Sequence, residues 1–220
     1  KKDIIPGEKI EMGSQIKVYV SKICFPGENK PAEEGQEKKK KENKNMTILL
    51  SRTHYNFVKR LFELEIPEIN DGTVMIYSVA RDAGNRSKVA VYSENSSVDP
   101  IGACIGEKGS RISRIIQELH GEKLDVVKYD SDPAVFIENA LSPAKELTVA
   151  ITDPKKRESM VIADGDNFSL AIGKKGQNAR LATKLTKYKK IDIKTTEQAR
   201  EAGIKIPTLC YLKDVKRSLY

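Results

Sequence analysis

Two short stretches carry residues whose types and spacing suit the binding of an anion. One is Ile105-Gly106-Glu107-Lys108-Gly109-Ser110-Arg111; the other is Ile172-Gly173-Lys174-Lys175-Gly176-Gln177-Asn178. Both read Ile-Gly-x-Lys-Gly, with an apolar helix-like run before and a helix-like run after. Glycine accepts the positive φ that a tight link between helices needs, and its missing side chain lets a sugar-phosphate approach the main chain. The helix that follows would aim its unpaired N–H groups and positive dipole end at that phosphate. Lys108, Lys174 and Lys175 add full charge at the same point, and Arg114 and Arg180 lie about one turn further on, within reach of phosphates or base edges. Ser110, Gln177 and Asn178 open the second helix, where each is a candidate for capping it, for contacting a base, or for both.

A single Gly-x-x-Gly is usually helix-end punctuation. Here the pattern recurs at an offset of 67 residues, and the same offset takes Lys123-Leu124-Asp125-Val126 to Lys190-Ile191-Asp192-Ile193. Matched segments at one spacing without a gap indicate an internal duplication.

The elements that must position these loops follow from periodicity and punctuation. A helix is expected after Thr53, its N-cap, with Phe57, Val58, Leu61 and Phe62 on one face and Pro67 as its stop. Strands are expected at 73–79 and 88–92, joined by the turn Asp82-Ala83-Gly84-Asn85. Asp99-Pro100 opens a short helix to Ile105. After the glycines, Ile112, Ile115, Ile116 and Leu119 keep helical spacing, which leaves Arg111 and Arg114 facing out. A strand at 124–127 closes the unit. The second half repeats it: Asp132-Pro133 caps a helix burying Phe136, Ile137, Ala140 and Leu141, and Pro143 ends it. Strands at 147–151 and 159–163 flank Asp153-Pro154-Lys155-Lys156, Asp166 caps the helix leading to Ile172, and 191–193 is the last strand. The stripe Ala179, Leu181, Ala182 and Leu185 is less strongly apolar. Both halves read helix-strand-strand-helix-helix-strand, an α+β arrangement.

Outside the duplication, strands are expected at 15–23 and 46–50. The Pro-, Gly-, Glu- and Lys-rich segment 25–45, with four lysines at 38–41, cannot bury a core and reads as a flexible loop. The tail has no counterpart in the repeat; Pro207 breaks it, and a short helix or extended segment is expected.

At the glycine loops and their surroundings, the chain resembles two tandem prokaryotic-type (type II) KH domains. More narrowly, 105–116, Leu119-His120-Gly121-Glu122-Lys123 and 170–181 resemble the NusA family of bacterial transcription factors, a likeness running from about Gly7 to about Ile204. The resemblance implies a domain order: 1–50 as the last two strands of an OB-type barrel lacking its first three, 51–130 and 131–195 as the KH domains, and 196–220 as a tail. Two strands alone are marginal in water, so the first segment is either docked or poorly ordered.

The resemblance also implies single-stranded RNA as ligand, its backbone clamped by Gly-x-x-Gly. The residues it marks are Ile105, Gly106, Glu107, Lys108, Gly109, Ser110, Arg111 and Arg114, then Ile172, Gly173, Lys174, Lys175, Gly176, Gln177, Asn178 and Arg180. Ile105 and Ile172 would line the groove for bases, although a buried helix end reads the same way. Tyr129 and Tyr188 would stack on bases or pack at an edge. The setting it implies is control of pausing, elongation, termination and antitermination beside RNA polymerase and other transcription factors. A KH module of an RNA-processing or ribosome-associated protein, and a protein-interaction scaffold, are the alternatives.

Composition agrees with an anionic partner. The 220-residue chain has a net charge of +8, room for two or three small domains, and no apolar run of membrane-spanning length. From 172 to 190 there are seven basic residues (Lys174, Lys175, Arg180, Lys184, Lys187, Lys189 and Lys190) and no acidic one, whereas 105–127 mixes both signs. The second copy should therefore dominate the electrostatic attraction. Cys24, Cys104 and Cys210 have no metal-ligand or disulfide spacing, which argues for a reducing, cytoplasmic setting, and Cys104 reads as a core residue. The N-terminus is no signal peptide, and a chain starting at Lys1 reads as a fragment. A monomer without cofactor is expected. His54 and His120 stand far apart, no nucleophile has a partner, and neither loop is a Gly-x-x-x-x-Gly-Lys-Ser/Thr signature, so no enzyme is expected.

Overall fold

The computed structural model describes residues 3–26 and 45–203. The lysines at 38–41, Pro207 and Cys210 lie outside the described residues.

The first copy starts with α1 (Tyr55–Glu65) and the one-turn α2 (Pro67–Asn70). Its N-cap is His54, whose Nδ1 accepts from the Asn56 N–H at 3.1 Å, and not the expected Thr53. The hydroxyl of Ser51 explains the shift: it accepts from the backbone N–H of both Thr53 and His54, which holds Thr53 one residue short of the helix. Pro67 does more than stop α1, because it occupies the first turn of α2, where its missing N–H has no partner to lose. Strands β3 (Met75–Asp82) and β4 (Arg86–Tyr92) pair antiparallel through the expected turn. After α3 (Pro100–Ile105) and α4 (Ser110–Glu118), β5 (Lys123–Lys128) joins β4 in parallel, giving the order β3-β4-β5.

The second copy repeats this with α5 (Pro133–Ala140), β6 (Thr148–Asp153), β7 (Glu158–Ile162), α6 (Asp166–Ile172), α7 (Gln177–Thr186) and β8 (Lys190–Lys194). Its sheet order is β6-β7-β8. Asp99 and Asp132 cap α3 and α5 as expected, accepting from Ile101 and Ala134 N–H. Asp166 does not cap: Gly165 takes that position and Asp166 falls in the first turn, where the helix dipole still favours its charge. The weak stripe of α7 is core, with Leu181, Ala182 and Leu185 buried.

How the copies sit together follows from β4. Five consecutive residues of this strand, Ser87 to Val91, are buried, so both of its faces are covered. Alternation sends Val89 and Val91 into the core formed with Phe57, Phe62, Cys104 and Ile115. Lys88 and Ala90 face the other way, and what covers them is the second copy. Ala80, Ala90 and Val127 share one core with Phe136, Ile137, Leu181 and Leu185. Hydrogen bonds run along this seam from Ser78 Oγ to Leu185 O (2.8 Å), Lys88 Nζ to Ser142 O (2.6 Å) and Gln177 Nε2 to Asp82 Oδ2 (2.7 Å). Tyr129 stacks on Tyr77 with ring centroids 3.8 Å apart, and Phe136 meets Tyr129 edge-on at 5.0 Å. Tyr129 is therefore seam packing.

The ends are anchored too. Beyond β8, α8 (Thr196–Glu201) starts with a capping box of Thr195 and Gln198 and buries Ala199 against Met160 and Ile162. At the other end, β1 (Tyr19–Cys24) and β2 (Thr47–Ser51) form an antiparallel ribbon. The ribbon is docked: Ile5 is buried in the first core, and the buried Arg52 guanidinium donates to both Glu8 carboxylate oxygens, Glu118 and the Lys17 carbonyl.

Candidate nucleic-acid interface

The two loops have the same backbone. Gly106 (φ 73°, ψ 173°) matches Gly173 (72°, 171°), a region open essentially to glycine alone. Lys108 (φ 49°, ψ 28°) matches Lys175 (53°, 29°), and Gly109 (76°, 16°) matches Gly176 (72°, 17°). Three of four loop residues thus hold positive φ, and one tight turn suffices between the helices. Gly109 and Gly176 close it by donating to Gly106 O and Gly173 O at 3.1 and 3.0 Å.

The glycines do different work. A Cβ on Gly106 would lie 2.6 Å from Arg111 Cγ, and one on Gly173 would lie 2.8 Å from Asn178 Cβ. Arg111 and Asn178 are equivalent positions, and both reach back behind the loop. Arg111 Nη1 donates to Ala103 O at 2.7 Å; Asn178 Nδ2 donates to the equivalent Leu170 O at 3.0 Å and also to Leu141 O and Ala171 O. The first glycine therefore makes room for a brace. The second glycine makes room for no such brace: a Cβ on Gly109 would meet nothing closer than 3.9 Å, and one on Gly176 would meet only the tip of the exposed Arg180 side chain, at 3.3 Å. Each second glycine is partly exposed, beside the exposed Lys108 in the first loop and the exposed Lys174 and Lys175 in the second.

This geometry corrects two expected contacts. Asn178 is 1% exposed and its Nδ2 donates to three backbone carbonyls, so it braces the loop from behind. Arg111 faces inward, held by Ala103 O and by Glu68 at 2.7 Å. Neither Ser110 nor Gln177 caps its helix; Ser110 is exposed and Gln177 reaches Asp82 across the seam. Ile105 is 39% exposed and Ile172 half-buried, so neither is a closed helix end. Alongside them, α3 packs beside the edge strand β5 and α6 beside the edge strand β8.

Comparison with known proteins agrees with this arrangement. The family described as the NusA-like first KH domain matches residues 52–129, and the NusA-like second KH domain matches 133–201. The chain belongs to the NusA family. It is 46% identical over 200 residues to the transcription termination/antitermination protein NusA of Halalkalibacterium halodurans, covering 91% of this chain and 48% of that protein. The NusA of Bacillus subtilis is 47% identical over 91% of this chain and 49% of that protein, and that of Thermus thermophilus 45% identical over 84% and 43%. The chain spans about half the length of these NusA relatives.

Within this NusA tandem the two KH loops differ in charge. In the first, Arg111 pairs with Glu68, Arg114 with Glu65 at 3.4 Å, and Glu107 stands exposed beside Lys108. Sequence reasoning missed Glu65 and Glu68, which lie more than forty residues from their partners and carry no local signal. In the second loop Arg180 stays exposed and its Nη1 donates to the Lys175 carbonyl, which keeps a cation on the loop. Cys104 is buried with its thiol pushed up to about 12 by desolvation, so it is packing and not a nucleophile. Among the described residues no group of three or more His, Cys, Asp or Glu side chains is placed to hold a metal ion, and no helix is long and apolar enough to cross a membrane.

Proposed function

We propose that this tandem binds single-stranded RNA, each Gly-x-Lys-Gly loop holding backbone phosphates while bases lie against Ile105 and Ile172. The observation that carries the reading is the loop backbone itself, repeated with the same dihedral angles through Gly109 and Gly176 and flanked by exposed lysines. Its relatives are termination/antitermination proteins, so the binding is assigned to control of transcript elongation and termination in concert with RNA polymerase. The chemistry needed is positioning and charge, with no bond made or broken.

Fluorescence anisotropy over a salt series tests this. Glu107→Asp with Lys108→Asp should weaken RNA binding less than Lys174→Asp with Lys175→Asp, and all four changes together should remove most affinity. Each lost phosphate contact should flatten the log–log salt slope by about 0.7. A folded quadruple variant that binds RNA normally would instead leave the protein a scaffold for other proteins. Glu107→Lys is the converse test. It makes the first loop resemble the second, and binding should tighten several-fold with a slope about 0.7 steeper; unchanged affinity would mean the first loop meets no phosphate.

A further inference from the structure

The basic run 172–190 is not one patch. Lys174, Lys175 and Arg180 sit at the start of α7, while Lys187, Lys189 and Lys190 follow its last residue. Ten helical residues at 1.5 Å each put about 15 Å between the two groups. At the far end the chain meets the turn between β6 and β7. Lys189 N donates to Arg157 O at 2.9 Å, and Glu158 pairs with Lys190 in the sheet. That turn carries Lys155, Lys156 and Arg157, all exposed, as are Lys187, Lys189 and Lys190. Two turns more than thirty residues apart in sequence thus combine into one cationic corner. The carboxylates beside it are Asp153, which meets Lys156 at 3.5 Å, and Glu158.

The first KH domain supplies an internal control. Its equivalent corner is built the same way, with Lys123 N donating to Asn85 O at 3.1 Å. There, however, Glu122 stands where Lys189 stands, buried and accepting from Gly84 N at 2.9 Å. Pro6 of the N-terminal segment covers Gly84 so closely that a Cβ there would lie 2.9 Å from Pro6 Cδ. One corner is neutralised and covered; its twin is bare and cationic. A track links that twin to the glycine loop, because Arg180 and Lys184 form an exposed stripe of α7 opposite the buried Leu181, Ala182 and Leu185, and the exposed Lys187 follows directly after the helix.

We propose that the corner formed by Lys155, Lys156, Arg157, Lys187, Lys189 and Lys190 is a second RNA-backbone site, holding phosphates of the same strand that flank the nucleotides clamped by the second loop. The proposal rests on the clamp reading above. A Gly-x-x-Gly loop engages about four nucleotides, so only a longer RNA can also reach this corner. Continuity with the loop along α7 is what favours RNA over an acidic polypeptide.

The test is anisotropy with labelled 5-mer and 15-mer single-stranded RNAs of mixed sequence. For a variant with Lys155, Lys156 and Arg157 all changed to Glu, the 5-mer should bind within ~2-fold of native. The 15-mer should bind at least ~10-fold more weakly, with a salt slope flatter by about 2, the value for three contacts at 0.7 each. Lys187→Gln with Lys189→Gln, from the other turn, should give the same length-dependent loss and guards against a misfolded turn. An equal charge change at the exposed Lys9, Lys22 and Lys59 should have little effect on either RNA. Lys174→Asp with Lys175→Asp should weaken both lengths; if it weakens neither, the clamp reading fails, whatever the corner does. Equal losses on both lengths, no loss on the 15-mer, or a loss matched by the Lys9, Lys22 and Lys59 control would each overturn the second site. So would a corner variant that keeps the 15-mer but no longer binds poly-glutamate, which would assign the corner to an acidic polypeptide.

Discussion

Glu122→Ala is expected to destabilise the first KH domain by about 3–5 kcal/mol, read as a fall in the urea midpoint at unchanged slope. Glu122 is fully buried and accepts from Arg81 Nε (3.1 Å) and Nη2 (2.9 Å), from the Ser87 hydroxyl and from Gly84 N. The Arg81 side chain is 2% exposed, and its other terminal nitrogen donates to Arg52 O and His54 O. One carboxylate thus satisfies a buried guanidinium, the β3–β4 turn and the start of β4, while that same guanidinium fixes the chain entering α1. Truncation leaves Arg81 charged and facing a void, which is the strongly unfavourable case for a broken buried pair. Glu122→Gln keeps the shape and one acceptor, so its loss should be smaller. The more exposed contact of Arg52 with Glu118, whose side chain is 24% exposed, should matter less than either. A Glu122→Ala midpoint within about 1 kcal/mol of native would show that the network is not what ties the ribbon, the turn and α1 together.

What was legible in the sequence was whatever short-range spacing encodes. The 67-residue offset, the Asp-Pro caps and the apolar stripes of α1 and α4 found the two domains and their element order. What escaped depends on partners distant in the chain. Lys88 sits in an alternating strand and reads as a solvent-facing lysine, and only the docking of the second copy buries it. Arg111 falls off the apolar stripe and reads as outward, yet Glu68 and a carbonyl behind the loop turn it inward. Asn178, at the same place in the repeat, does that work with an amide. The duplication could have exposed this shared duty, but two different side chains at matched positions give no signal until the carbonyls they reach are seen. The helix α8 is the converse case. It rests on the outer face of the second sheet, the face that in the first copy takes the whole second domain, so the last repeat needs its own cover.

Asp125→Ala should be the most damaging change at the seam, and Lys88→Met at the same ion pair should be nearly harmless. The Lys88 ammonium is fully buried, donating to Ser142 O at 2.6 Å and lying 3.1 Å from Asp125 Oδ2. Burial pushes its pKa below the usual lysine value, and Asp125 pulls it part of the way back. Removing Asp125 leaves a buried cation with one carbonyl and should lower stability by about 3–5 kcal/mol. Lys88→Met removes the charge itself. Asp125 keeps Arg86, at 2.7 and 3.1 Å, and only Ser142 O loses a donor, so the change should stay within about 1–1.5 kcal/mol of native. The pH dependence separates the two variants. With its folded pKa depressed, Lys88 binds fewer protons folded than unfolded, so stability rises as pH climbs from the folded pKa toward the ordinary lysine value of 10.5. That rise should be steepest in Asp125→Ala, where nothing opposes desolvation, and its Lys88 component should vanish in Lys88→Met. Urea midpoints at neutral pH and at about pH 9.5 read both effects. Equal sensitivity to pH in the two variants would mean that Lys88 is not held charged between the domains.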